Sequence, residues 1–102
     1  MSADLEIQHM IDARISQLQR MSFNDVAALP NAKGEDVLID GKKCALTTYV
    51  QKLSFGDLLA TVQFASPVLL GLGSRHAERG LIFSPTGFVR EATPKELQDS
   101  GG

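Results

Sequence analysis

The sequence predicts an α+β fold: an N-terminal helix and a short second helix packed on an antiparallel meander sheet of four or five strands, closed by a short C-terminal helix. Three observations carry that expectation. Apolar residues recur at helical spacing over residues 3 to 20, the period switches to two from residue 36 onward, and a capping sequence opens at Thr93. The chain, 1–102, is expected to be one domain, with a helical segment over 1–30, the sheet over 36–92 and the last helix over 93–99.

In the first helix Ile7, Met10, Ile11, Ile15 and Leu18 fall on one side, while Glu6, Gln8, Asp12, Ser16 and Gln19 fall elsewhere. Its charges run with the helix dipole, since Asp4 and Glu6 precede Arg14 and Arg20. Ser22 is an N-cap for the second helix, with Asp25 at the third position and a Met21 to Val26 staple; Leu29-Pro30 closes it. Asn31 to Glu35 reads as a loop. Val37-Leu38-Ile39 before Asp40-Gly41 then signals a hairpin, because the tight turn needs positive φ at both central residues.

The returning strand, Lys43 to Leu53, places Cys44, Leu46, Thr48 and Val50 on one face. After the turn Ser54-Phe55-Gly56-Asp57, Leu58, Ala60, Val62 and Phe64 alternate with Leu59, Thr61, Gln63 and Ala65, the pattern of a sheet covered by helix on one side. Arg75 to Ser84 and Phe88 to Ala92 supply two more strands around Pro85-Thr86-Gly87. Thr93-Pro94-Lys95-Glu96 combines an N-cap, a first-turn proline and a capping-box glutamate.

Composition narrows the function classes. The 102 residues are 43% apolar, 6% aromatic and 22% charged, and 10 basic against 12 acidic side chains leave a formal charge of −2. No global positive field exists to hold nucleic acid. Lys42, Lys43, Arg75, Arg79 and Arg90 could form a local stripe, but tryptophan is absent, Tyr49 is the single tyrosine, and the phenylalanines mostly follow core phase, so nucleic acid is not an expected partner. Cys44 alone cannot form an intramolecular disulfide, and in phase with Leu46 and Val50 it reads as a buried thiol. The N-terminus carries acids where a secretory leader needs bases, and the longest uncharged run, 58–73, is broken by polar residues, Pro67 and glycines. A cytoplasmic protein without membrane contact, cofactor or metal is therefore expected.

Two segments stand out. Ser74 to Gly80 is the densest polar cluster: on a strand His76 and Glu78 would share one face and Arg75 and Arg79 the other, enough for a base beside a carboxylate or for an anion clamp. Opposite charges blunting a sheet edge explain the same residues without a site. Gly71-Leu72-Gly73 fails as a phosphate loop, because His76 stands where the third glycine is needed. A thiol triad of Cys44, His76 and Glu78 has no support in spacing, and His9 falls on the polar side of its helix.

The second segment is Val68, Leu69, Leu70 and Leu72, a surplus of aliphatic side chains in a connection after Pro67. The favoured functional expectation is a non-catalytic binding or assembly domain, a homo-oligomer or a protein-partner module, using that apolar loop and one sheet edge. The alternative is a small-molecule or anion site, with a minor enzyme activity, at Arg75, His76, Glu78 and Arg79.

Overall fold

The computed structural model describes residues 3–39, 41–66 and 75–99. Helix α1 spans Ala3–Gln19 and α2 spans Phe23–Ala27. The strands follow as β1 (Ala32–Ile39), β2 (Lys42–Lys52), β3 (Leu58–Ser66), β4 (Arg75–Phe83) and β5 (Val89–Glu91), and α3 (Pro94–Asp99) ends the described chain. Every strand pairs antiparallel with its neighbour in sequence, giving a sheet in the order β1-β2-β3-β4-β5. This is the α+β meander that the sequence predicts.

The helical stripe forms as its spacing requires: Ile7, Ile11, Ile15 and Leu18 are all buried. They meet Ile39, Cys44, Leu46, Leu58, Ala60, Val62, Phe64, Leu81 and Phe83, the inward residues of β1 to β4. The fully buried Val26 brings α2 into the same core. Ser22 caps α2 as expected, its hydroxyl accepting from the Asp25 amide at 3.1 Å while the Asp25 carboxylate accepts from the Ser22 amide at 3.3 Å.

A second, smaller core lies on the opposite face. Leu59 and Ile82 pack there with Ala92 and Leu97, and Leu53 borders them. The short α3 is thus held by tertiary packing as well as by its cap. That cap is reciprocal: the Thr93 hydroxyl accepts from the Glu96 amide at 3.2 Å, and the Glu96 carboxylate accepts from the Thr93 amide at 2.9 Å.

One expectation is corrected. The first strand begins at Ala32, within the stretch 31–35 expected to be a loop, because pairing with β2 continues from Ile39 opposite Lys42 back to Ala32 opposite Tyr49. The phenylalanines mostly follow core phase, three of the five lying in or against the core, with Phe23 packed at its border. Phe64 and Phe83 are fully buried, but Phe55 is 98% exposed and Phe88 is 73% exposed. Both exposed rings sit in turns, where strand alternation does not decide which way a side chain faces.

Candidate functional site

The polar cluster flagged by the sequence lies on β4. Residues 75–79 pair with β3, whereas β5 pairs only with Leu81, Ile82 and Phe83, so the outer side of the cluster has no strand beside it among the described residues. By register His76 lies opposite Ala65 and Glu78 opposite Gln63, on the same sheet face, but the side chains of Arg75 and His76 fall outside the description. Glu78 is exposed. Val68, Leu69, Leu70 and Leu72 also lie outside the described residues.

Arg79 has a specific structural task. Its Nη2 donates to Glu91 Oε1 at 2.5 Å, its Nε to Glu91 Oε2 at 3.3 Å, and its Nη1 to Asp12 Oδ1 at 2.6 Å. One guanidinium therefore joins β4 to α1 and to β5. Asp12 also accepts from the Gln8 amide at 2.9 Å, and that bond, then Arg79, holds its carboxyl below the usual carboxylate range. Arg79 likewise holds Glu91 down. With two carboxylates already on it, this guanidinium has no surplus charge for an external anion.

The basic residues do not form one stripe. Arg79 lies on the sheet face beneath α1, whereas Arg90 is opposite Ile82 on the α3 face and forks onto Glu96 at 2.8 and 2.7 Å. Lys43 is 3.4 Å from Asp36. Cys44 is buried, as its phase requires. Among the described residues no cluster of His, Cys, Asp and Glu could hold a metal ion, and no helix is long and apolar enough to cross a membrane.

The more coherent feature is on the other side of α1. The helix packs chiefly over β3 and β4 and only slightly over β1, which leaves a groove between α1 and the β1 edge. Two adjoining hollows of about 220 Å³ each open along it. Leu18, Met21, Leu29, Pro30, Lys33 and Thr48 line the first, and Met10, Ala13, Val37 and Leu46 line the second; Arg14, Gln17 and Glu35 border both.

Arg14 is the clasp between them. It pairs with Glu35 on β1, and its Nη1 donates to the buried Thr48 hydroxyl on β2 at 3.1 Å. The two arginines thus tie α1 down on opposite flanks, Arg79 toward β5 and Arg14 toward β1. The Arg14 bonds set the groove's width, because they link the helix to the strand that forms its far wall.

The backbone of β1 completes the site. The Val50 amide donates to the Asn31 carbonyl at 2.9 Å, and the pairing then runs Ala32 opposite Tyr49 to Ile39 opposite Lys42. By antiparallel alternation, Lys33, Glu35, Val37 and Ile39 turn their backbone polar groups toward β2, and Ala32, Gly34, Asp36 and Leu38 turn theirs outward. Among the described residues no strand takes up that outer side. Leu38, on the face away from α1, is 67% exposed.

Sequence reasoning missed Arg14, Glu35 and the first half of β1. The sequence carried no usable signal there: of the alternate residues Lys33, Glu35, Val37 and Ile39 only the last two are apolar, and Gly34 with the adjacent acids Glu35 and Asp36 resembles a loop. No protein-family model matches the chain, and no curated protein or solved structure matches it.

Proposed function

We propose that the protein is a non-catalytic binding and assembly module that takes an extended polypeptide strand along β1. The observation that carries this reading is the outward backbone of Ala32, Gly34, Asp36 and Leu38 lying directly beside a groove under α1. An added strand satisfies those N–H and C=O groups, and its alternate side chains face the same way as Lys33, Glu35 and Val37, over the two hollows. The backbone supplies sequence-independent bonding, and the Met, Leu and Pro lining with the Arg14–Glu35 pair supplies selectivity. The module is assigned to the cytoplasm, in keeping with a sequence whose one cysteine, the buried Cys44, has no second cysteine for an intramolecular disulfide.

The test is selection of short binders from a random peptide library, followed by amide shift mapping on the labelled protein. The expected result is that shifts centre on residues 32–38 and that Gly34→Pro abolishes binding. Proline at 34 removes an outward N–H and leaves the β2 pairing intact. Gly34 also has room for a side chain, since a Cβ there meets Thr47 Oγ1 at 3.4 Å. Binders that map elsewhere, or that bind Gly34→Pro as well as Gly34→Ala, would overturn the reading.

A further inference from the structure

We infer that the strand received by β1 is the β1 strand of a second copy of this chain, paired antiparallel about Gly34; this rests on the strand-addition reading above. Charge along the edge selects both the partner and the register. The outward residues of one edge must face outward residues of the other for their backbone groups to bond, so only registers that match even positions with even positions are available. With Gly34 facing Gly34, Ala32 faces Asp36 of the second copy. On the groove side Lys33 then faces Glu35 of the second copy, and Glu35 faces its Lys33.

The registers next to it on either side are worse. A shift of two residues one way sets Lys33 against Lys33, and the other way sets Glu35 against Glu35, while the next shift opposes Asp36 with Asp36. Like charges directly opposite destabilise a strand pair, and opposite charges favour it. Lys33 is also available for the contact, because it has no ion-pair partner among the described residues. Glu35 already meets Arg14 from its own chain, so the pairing extends that ion pair into an Arg14, Glu35, Lys33 series crossing between copies. In this register Val37 of the second copy comes opposite Asn31, next to Leu29 and Pro30 at the mouth of the first hollow. Both helices lie on one face of a continuous sheet, and the two exposed edges close on each other as a two-fold interface.

Sedimentation velocity on the full chain, over a concentration series reaching about 1 mM, tests this. Wild-type protein is expected to associate as a dimer. Lys33→Glu and Glu35→Lys are each expected to weaken it on the order of ten-fold, because each turns both symmetry-related pairs repulsive. Mixing the two variants is expected to restore association, since the edge that is acidic at both positions in one variant then meets the edge that is basic at both in the other. Gly34→Cys is expected to oxidise to a linked dimer, the facing Cα atoms being about 5.5 Å apart in such a pair. A wild-type monomer throughout the series overturns the second copy as partner, and leaves strand addition to be judged by the peptide mapping. Association that Gly34→Pro abolishes but the charge variants ignore overturns the register alone. Association indifferent to Gly34→Pro and to the charges overturns the inference entirely, because the copies then meet elsewhere.

Discussion

Gly80 on β4 faces Leu97 on α3 so closely that a Cβ on the glycine would stand 2.6 Å from the leucine Cδ2, with the Ala60 carbonyl oxygen at 3.2 Å and Leu59 Cδ1 at 3.3 Å. Glycine at this position lets α3 settle on the sheet. Gly80→Ala is therefore expected to lower stability by about 1 to 3 kcal/mol, with Gly80→Val lowering it further, since an overpacked site must displace its neighbours. Chemical denaturation measures the loss. Amide exchange across residues 94–99 should quicken more than exchange in α1, because the displaced element is the short helix and not the main core.

The clasp at the groove makes a second prediction. Thr48 is buried, and its hydroxyl accepts from Arg14 across 34 positions of sequence. Arg14→Met retains most of the aliphatic stem but removes the donor, and is expected to cost about 1 to 3 kcal/mol because the Thr48 oxygen is left without that partner. In Thr48→Val the hydroxyl itself is gone, so the double variant should be less destabilised than the sum of the singles. A double-mutant cycle by urea denaturation measures the coupling, and additive losses would show that the bond contributes nothing.

These relationships divide along a physical line between what was legible in the sequence and what was not. The Ser22 and Thr93 caps depend on residues three positions apart, and α1 and the central strands depend on periods of a few residues, so local pattern was sufficient. Cys44 was legible for the same reason: strand parity set its burial. The Arg79 bond to Asp12 joins residues 67 apart, and nothing local in either segment announces it. The start of β1 was hidden because an edge strand beyond the helix has no inner face to bury there. Lys33 and Glu35 occupy positions that would be apolar in a central strand. The candidate groove is the product of that same edge, so it was invisible until the placement of α1 was known. The α3 core was hidden because it rests chiefly on single residues, Leu97 and Ala92, from which no period can be read.

Acid should loosen α3 before it unfolds the rest of the chain. The Arg90 fork, together with the Thr93 amide, holds the Glu96 carboxyl down to about 2 from its ordinary 4.5. A carboxyl depressed in the folded state favours folding above the unfolded value, and that contribution is lost as pH falls through the folded one. The window is thus about pH 4.5 down to about 2, and Asp12 and Glu91 shift in the same direction because Gln8 and Arg79 favour their charged forms. Stability measured by urea denaturation should fall through this window. Glu96→Gln should be less stable than wild type at pH 7 and show a shallower acid limb. An unchanged limb would mean that the fork contributes nothing.

Phe55 makes the last prediction, and it runs in the opposite direction. Its backbone lies at φ 63°, in the left-handed region, and its ring is 98% exposed. A bulky residue in that region is strained by about 1 kcal/mol or more, and so exposed a ring recovers little by packing. The turn itself is held by other groups, the Leu53 amide donating to the Asp57 carbonyl at 2.8 Å. Asparagine tolerates the left-handed conformation better than phenylalanine does, so Phe55→Asn should leave the fold intact and raise the denaturation midpoint, by up to about 1 kcal/mol in stability. Phe55→Val should lower it, because a β-branched side chain fits that backbone worst. If Phe55→Asn instead destabilises the protein, the ring makes a contact that outweighs the strain, and the turn would have to be examined for what covers it in solution.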